Sequence, residues 1–121
     1  MATVTGIGGF FFRSKDSAAL GKWYEKHFGI DTMPGKKVWR QEEGPTVFAP
    51  FKENTDYFGT NQQFMINFRV DNMDELLKNL KAEGVNIDEK RMEEPSLGKF
   101  AWVYDPDGNK IELWEPSPEC L

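Results

Sequence analysis

Tyr104-Asp105-Pro106-Asp107-Gly108-Asn109-Lys110-Ile111-Glu112-Leu113-Trp114-Glu115-Pro116 is the stretch that decides how this chain folds. Pro106 presets φ for a turn, Asp105 and Asn109 can bond nearby backbone, and Gly108 tolerates a positive φ, so residues 105–109 predict a hairpin connection. The strand that returns from it is Lys110 to Trp114. Side chains alternate faces along a strand, which sets Ile111 and Leu113 toward a core and Lys110, Glu112 and Trp114 on the other side. On that second face a carboxylate and an indole stand together. Such a face is either the wall of a cleft or the solvated side of an antiparallel sheet.

Outward from this strand, the second half reads as one unit. Phe64 to Val70 is strand-like, and Asn72 followed by Glu75 is a capping-box start to a helix. Met73, Leu76, Leu77 and Leu80 form its apolar stripe, and Gly84 stops it. Val85 to Asp88, Phe100 to Tyr104 and Lys110 to Trp114 complete a βαβββ order. The first half runs the same way. Val4 to Arg13, with glycines at 6, 8 and 9 and Phe10-Phe11-Phe12, suggests a buried strand approached closely by other backbone. Asp16 caps a helix with Leu20, Trp23, Tyr24 and His27 along one stripe, and Gly29 ends it. Ile30 to Met33, Val38 to Glu42 and Thr46 to Phe51 are short strand candidates, the last two joined by a Glu43-Gly44-Pro45 turn.

The halves also align by character. At an offset of 56, Phe10 meets Ile66, Phe12 meets Phe68, Arg13 meets Arg69 and Leu20 meets Leu76, and at an offset of 64 Gly44 meets Gly108 and Val47 meets Ile111. The expectation is a single α+β domain over residues 1–121, built of βαβββ modules at about 4–51 and 64–115 and joined by a loop at 52–63 that carries Tyr57 and Phe58. Paired about a pseudo-twofold axis, the modules would make a mixed, cupped eight-stranded sheet with helices on its convex face and a cleft between them.

Composition bounds what such a cleft can meet. One domain of 121 residues with ten Phe, four Trp and three Tyr can bury a real core, while 29% charged residues exclude the disordered class. A net charge of −5 without a basic patch argues against nucleic acid. No basic leader followed by an apolar stretch is present, and nothing approaches the run of about 20 apolar residues that spans a bilayer, so no membrane is expected and the cytoplasm is. The single cysteine, Cys120, cannot pair within the chain and is expected on a frayed tail.

Taken together, the chain resembles the vicinal oxygen chelate superfamily, which holds glyoxalase I, extradiol dioxygenases, fosfomycin-resistance enzymes and bleomycin-resistance proteins. The carrying residues are Arg13-Ser-Lys-Asp16 before a helix with Trp23-Tyr24 and Phe28-Gly29, Phe68-Arg-Val-Asp71 before the second helix, and Asp105-Pro-Asp-Gly-Asn-Lys-Ile-Glu112. In metal-dependent members the resemblance implies one ligand from each of four cleft-facing strands. Those places fall here on Gly9, Phe48, Met65 and Glu112. Only the last is a competent oxygen ligand for a hard divalent ion. His27 lies on the packed stripe of the first helix and does not repair the set, so no metal and no cofactor are expected. The resemblance also implies a homodimer.

Strand alternation gathers Phe11, Arg13, Phe48, Met65, Asn67, Arg69, Trp102, Glu112 and Trp114 as candidate ligand-binding residues. They would form an aromatic and thioether floor with a few fixed polar groups, which suits a small organic molecule. Arg13 and Arg69 either clamp an anion or neutralise Glu112, and Trp39 and Trp102 are either core or cleft wall. Tyr57 and Phe58 either cover the cleft, reach across a dimer or pack locally. Three functions stay in view: a metal-free binding protein of the bleomycin-resistance type, an enzyme of the lyase, isomerase or dioxygenase kind using Glu112 as acid or base or an atypical metal site, and a structural or regulatory domain with a filled cleft. For the first two, Ile111 and Leu113 are expected to carry stability, and Glu112→Gln is expected to cost little of it and to alter binding instead.

Overall fold

The computed structural model describes residues 2–32 and 38–121. Helix α1 spans Ser17–Phe28 and α2 spans Met73–Ala82, and the sheet comprises β1 (Ile66–Arg69), β2 (Asn86–Glu94), β3 (Gly98–Tyr104) and β4 (Lys110–Pro116). A short 3-10 turn at Pro118–Cys120 follows. The helix boundaries have the local causes read from the sequence. Asp16 Oδ1 accepts from the Ala19 amide at 3.1 Å, and Gly29 closes α1 with φ of 66°. Asn72 Oδ1 accepts from the Glu75 amide at 3.2 Å while its Nδ2 donates back to the Glu75 carboxylate. Glu115 on β4 adds a further cap, accepting the Met73 amide at 2.7 Å.

The strands lie in the order β1-β4-β3-β2, with β1 parallel to β4 and the remaining pairs antiparallel. A parallel neighbour requires a crossover, and α2 provides it. The hairpin at residues 105–109 forms as its residues dictate, with the Asp105 amide donating to Asn109 O, the Gly108 amide donating to Asp105 O, and Gly108 at φ of 84°. Both helices pack on one face of the sheet. Leu20 and Tyr24 from α1 meet Met73, Leu77 and Leu80 from α2 over Ala101, Val103, Ile111 and Leu113. Each larger side chain removed from water there contributes roughly 1.5–3 kcal/mol.

The α+β class and the βαβββ order of the second half are as the sequence indicates. The eight-stranded expectation is not met among the described residues, where four strands occur, all in the second half. The first-half stretches at Val4 to Arg13, 30–32, Val38 to Glu42 and Thr46 to Phe51 carry no strand pairing, and Met33 lies outside the described residues. The reason is physical: strand character becomes a strand only beside a free edge. The edge offered, β1, is four residues long. Around it Phe10 and Phe12 pack by their rings instead, at 6.1 Å from Phe64 and 5.9 Å from Tyr24 respectively. The expected burial of this stretch is not met either, since Phe10 and Phe12 are 42% and 46% exposed and Phe11 88%. β2 is longer than expected and carries an irregularity between Ile87 and Arg91. Its outer stretch, Glu89 to Glu94, is an exposed edge with no apolar periodicity to announce it.

Candidate functional site

On the face opposite the helices, the register sets Asn67, Glu112 and Trp102 in one row across β1, β4 and β3. Glu112 is 9% exposed, and both of its carboxylate oxygens are engaged. Asn67 Nδ2 donates to Oε1 at 2.7 Å. Trp102 Nε1 donates to Oε2 at 3.1 Å, and the Tyr57 hydroxyl donates to the same oxygen. All three donors are neutral, and the carboxylate is held in one orientation by them. Burial, and next the bond to Glu112, push the Tyr57 phenol above its ordinary range, so it stays protonated as the donor.

Tyr57 belongs to the 52–63 connection, which crosses this face as a strap. Its ring stands edge-on to Trp102 at 6.1 Å and to Phe51 at 5.5 Å. Lys110 Nζ lies 5.0 Å from the Tyr57 ring centre and 5.5 Å from that of Trp102, and it donates to Tyr57 O at 2.6 Å. Further along, the Gln62 side-chain amide behaves as a piece of strand. It accepts the Lys110 amide through Oε1 and donates to Lys110 O through Nε2, both at 2.9 Å, which continues the ladder before β1 begins.

Of the residues gathered by strand alternation, the fold brings together Asn67, Trp102 and Glu112. The others are occupied elsewhere. Arg69 donates to Glu42 O at 2.9 Å and lies against Gly44, where an added Cβ would fall 1.8 Å from Nη1, so it clamps the 42–44 turn. Trp114 donates to Leu97 O at 2.9 Å and stacks on Phe100 with ring centres 6.2 Å apart. Phe48 is 86% exposed, Met65 is half-buried, and an added Cβ at Gly9 would lie 2.7 Å from the Phe11 ring. Arg13 is exposed and, with Phe10, Phe11, Phe12, Phe64 and Lys110, lines a neighbouring hollow of about 590 Å³. Trp39 packs its ring edge against Phe68 at 6.3 Å, away from Glu112.

Tyr57 and Lys110 are the partners that sequence reasoning did not assign. Lys110 was legible as a neighbour on the Glu112 face, and the aromatic pair Tyr57-Phe58 in a polar loop was a signal without a direction. Among the described residues, no group of three or more His, Cys, Asp or Glu side chains is arranged to hold a metal ion. His27 sits half-buried on α1 against Trp23 at 5.0 Å, where burial lowers its pKa. No described helix is long and apolar enough to cross a membrane.

These elements define a class: a mixed-sheet α+β domain that carries a shielded carboxylate on the sheet face opposite its helices. The chain belongs to the Glyoxalase/Bleomycin resistance protein/Dioxygenase superfamily, whose family model matches residues 6–113. Among solved structures it is similar to a member of that superfamily from Sphaerobacter thermophilus, at 20% identity and a TM-score of 0.51, covering 84% of this chain and 90% of the other. It is also similar to the trypanothione-dependent glyoxalase I of Leishmania major, at 19% identity and a TM-score of 0.53, covering 86% and 81%. At these identities the likeness shows the fold. No protein of curated function matches the chain.

Proposed function

We propose that this chain is a metal-free small-molecule-binding member of the superfamily, taking its ligand on the sheet face around Glu112. The observation that carries the reading is a buried carboxylate walled by Trp102 and Tyr57 and fixed by neutral donors. Few, oriented polar groups in an aromatic setting are what an organic ligand site needs. The donor set does not fit a divalent ion. Gly9 has no side chain, Phe48 cannot coordinate, and the Met65 thioether is a poor partner for hard cations. The one remaining oxygen ligand, Glu112, already accepts three hydrogen bonds.

The test is a thermal-shift screen of metabolites, xenobiotics and metals. A ligand at a hundredfold its dissociation constant adds about 2.7 kcal/mol, which such a screen detects. The expected result is stabilisation by an organic compound, weakened in Glu112→Gln and indifferent to chelator. One equivalent of tightly held nickel, zinc or iron in the purified protein would overturn the metal-free reading. An enzymatic reading draws on the same geometry, since a carboxylate oriented by Asn67 and Trp102 is ready to act as general acid or base. Turnover that survives chelation and is lost in Glu112→Gln would establish it. The filled-cleft alternative draws on Tyr57 itself, and a screen without any stabilising compound would favour it.

We further infer a homodimer. Val47, Phe48 and Phe11 are all largely exposed, apolar side chains that a second subunit could cover.

A further inference from the structure

We propose that Tyr57 is the built-in occupant of a subsite for neutral aromatic alcohols, and that a phenol takes this place by displacing the 52–63 strap. The inference rests on the small-molecule reading above and names its ligand class. Tyr57 shows what the subsite accepts. Its hydroxyl donates to Glu112, its ring edge meets Trp102, and its ring lies under the Lys110 ammonium. A para-substituted phenol can reproduce each of these contacts without the peptide.

Other ligand classes fit less well. The acceptor at the base is a carboxylate, so a ligand carboxylate or phosphate would meet like charge there. A cation would find Glu112, but would also meet Lys110 Nζ, which stands 5.5 Å from the Trp102 ring centre. A neutral donor keeps Glu112 paired and leaves the cation over an aromatic face, where it is attracted. Three polar ties hold the strap to the sheet. Two of its ties, the Tyr57 hydroxyl to Glu112 and the Lys110 ammonium to Tyr57 O, go to side chains that can exchange partners. The third, at the strap's end, is the pair of hydrogen bonds between the Gln62 side-chain amide and the Lys110 backbone. Beside it lies the hollow of about 590 Å³, within the usual range of ligand sites and sharing Lys110 with the subsite.

The experiment is calorimetric titration of 4-methylphenol and of toluene, which differ by the hydroxyl, into the wild-type chain, Tyr57→Ala and Tyr57→Ala/Glu112→Gln. Removing an internal competitor raises apparent affinity by the reciprocal of the fraction of time the site stands open, so with the site open about a tenth of the time Tyr57→Ala should bind 4-methylphenol about tenfold more tightly than wild type. In that variant the phenol should exceed toluene by about tenfold, as a hydrogen bond to a charged acceptor requires, and Glu112→Gln, which leaves only a neutral acceptor, should cut the preference severalfold. Tyr57→Phe keeps the ring and loses only the hydroxyl tie. It should raise the affinity about threefold over wild type, which keeps the question answerable if the alanine variant does not fold. Equal binding of phenol and toluene to Tyr57→Ala would overturn the proposal. So would a preference undiminished by Glu112→Gln, or no gain in either Tyr57 variant. Should the screen meanwhile yield another compound whose binding needs Glu112, the small-molecule reading stands and only the phenol assignment falls.

Discussion

Two buried carboxylates, Asp105 at 4% exposure and Glu112 at 9%, are satisfied in different ways, and the difference sets what substitutions do. Asp105 accepts from the Asp107 and Asn109 amides, from Asn109 Nδ2 and from the Tyr24 hydroxyl at 2.8 Å, so it ties the 105–109 turn to α1. Tyr24→Phe removes one bond to a charged acceptor and should lower stability by about 1.5–3 kcal/mol in urea denaturation. Glu112 depends on side chains alone. In Glu112→Gln the new amide must point its NH₂ at Asn67 or at the Tyr57 and Trp102 donors, so the small cost expected from the sequence becomes about 1–3 kcal/mol. Burial foremost, and next the bonds to Asp105 and Glu112, raise the pKa of both Tyr24 and Tyr57. A group raised in the folded state lends stability that is whole below its unfolded pKa of about 10 and is lost as pH climbs past it. Urea midpoints should therefore fall above about pH 10, and fall less steeply in Tyr24→Phe. The facing of Glu112 was legible because strand alternation is local. Its partners were not, since Trp102 arrives by register and Tyr57 by the path of a loop.

Among the elements, β4 is the interior strand that most others lean on. Ile111 and Leu113 are fully buried against both helices, so Ile111→Ala or Leu113→Ala should cost roughly 2–5 kcal/mol by denaturant titration. A sharper case lies where β3 begins. Gly98 has φ of 127°, and a Cβ there would fall 2.0 Å from Glu115 O, a backbone atom that cannot turn aside. Gly98→Ala should therefore cost at least the roughly 1–3 kcal/mol of a strained backbone, and should loosen the β3–β4 pairing, seen as lost amide protection at Lys99 and Glu115. The helix ends at Asp16, Gly29, Asn72 and Gly84 were readable because caps are chemistry between near neighbours. The first-half strand expectations met no ladder, because an apolar run such as Phe10-Phe11-Phe12 states a preference for extension and says nothing of which edge will receive it. Cys120, expected on a frayed tail, is half-buried, and its thiol lies 3.3 Å from Ser96 O, with Ser117 Oγ donating to the same carbonyl at 2.9 Å.

For the whole molecule, the family and the α+β class were legible from motif and order, whereas the assembly of the site was not. A homodimer should sediment at twice the chain mass, and replacing Phe11 and Phe48 with serine should return it to a monomer if their exposed rings form the contact. The core itself is shared across the chain, since Leu20 and Tyr24 close on Ile111 and Leu113. That distance in sequence has a consequence for biosynthesis. On the ribosome α1 is made long before β4, so its apolar stripe, Leu20 and Tyr24 included, stays wet until β4 has been made. Such a nascent chain presents sticky surface for most of its synthesis, and chaperone capture at that stage, rather than the finished fold, should govern how much of the protein a cell accumulates.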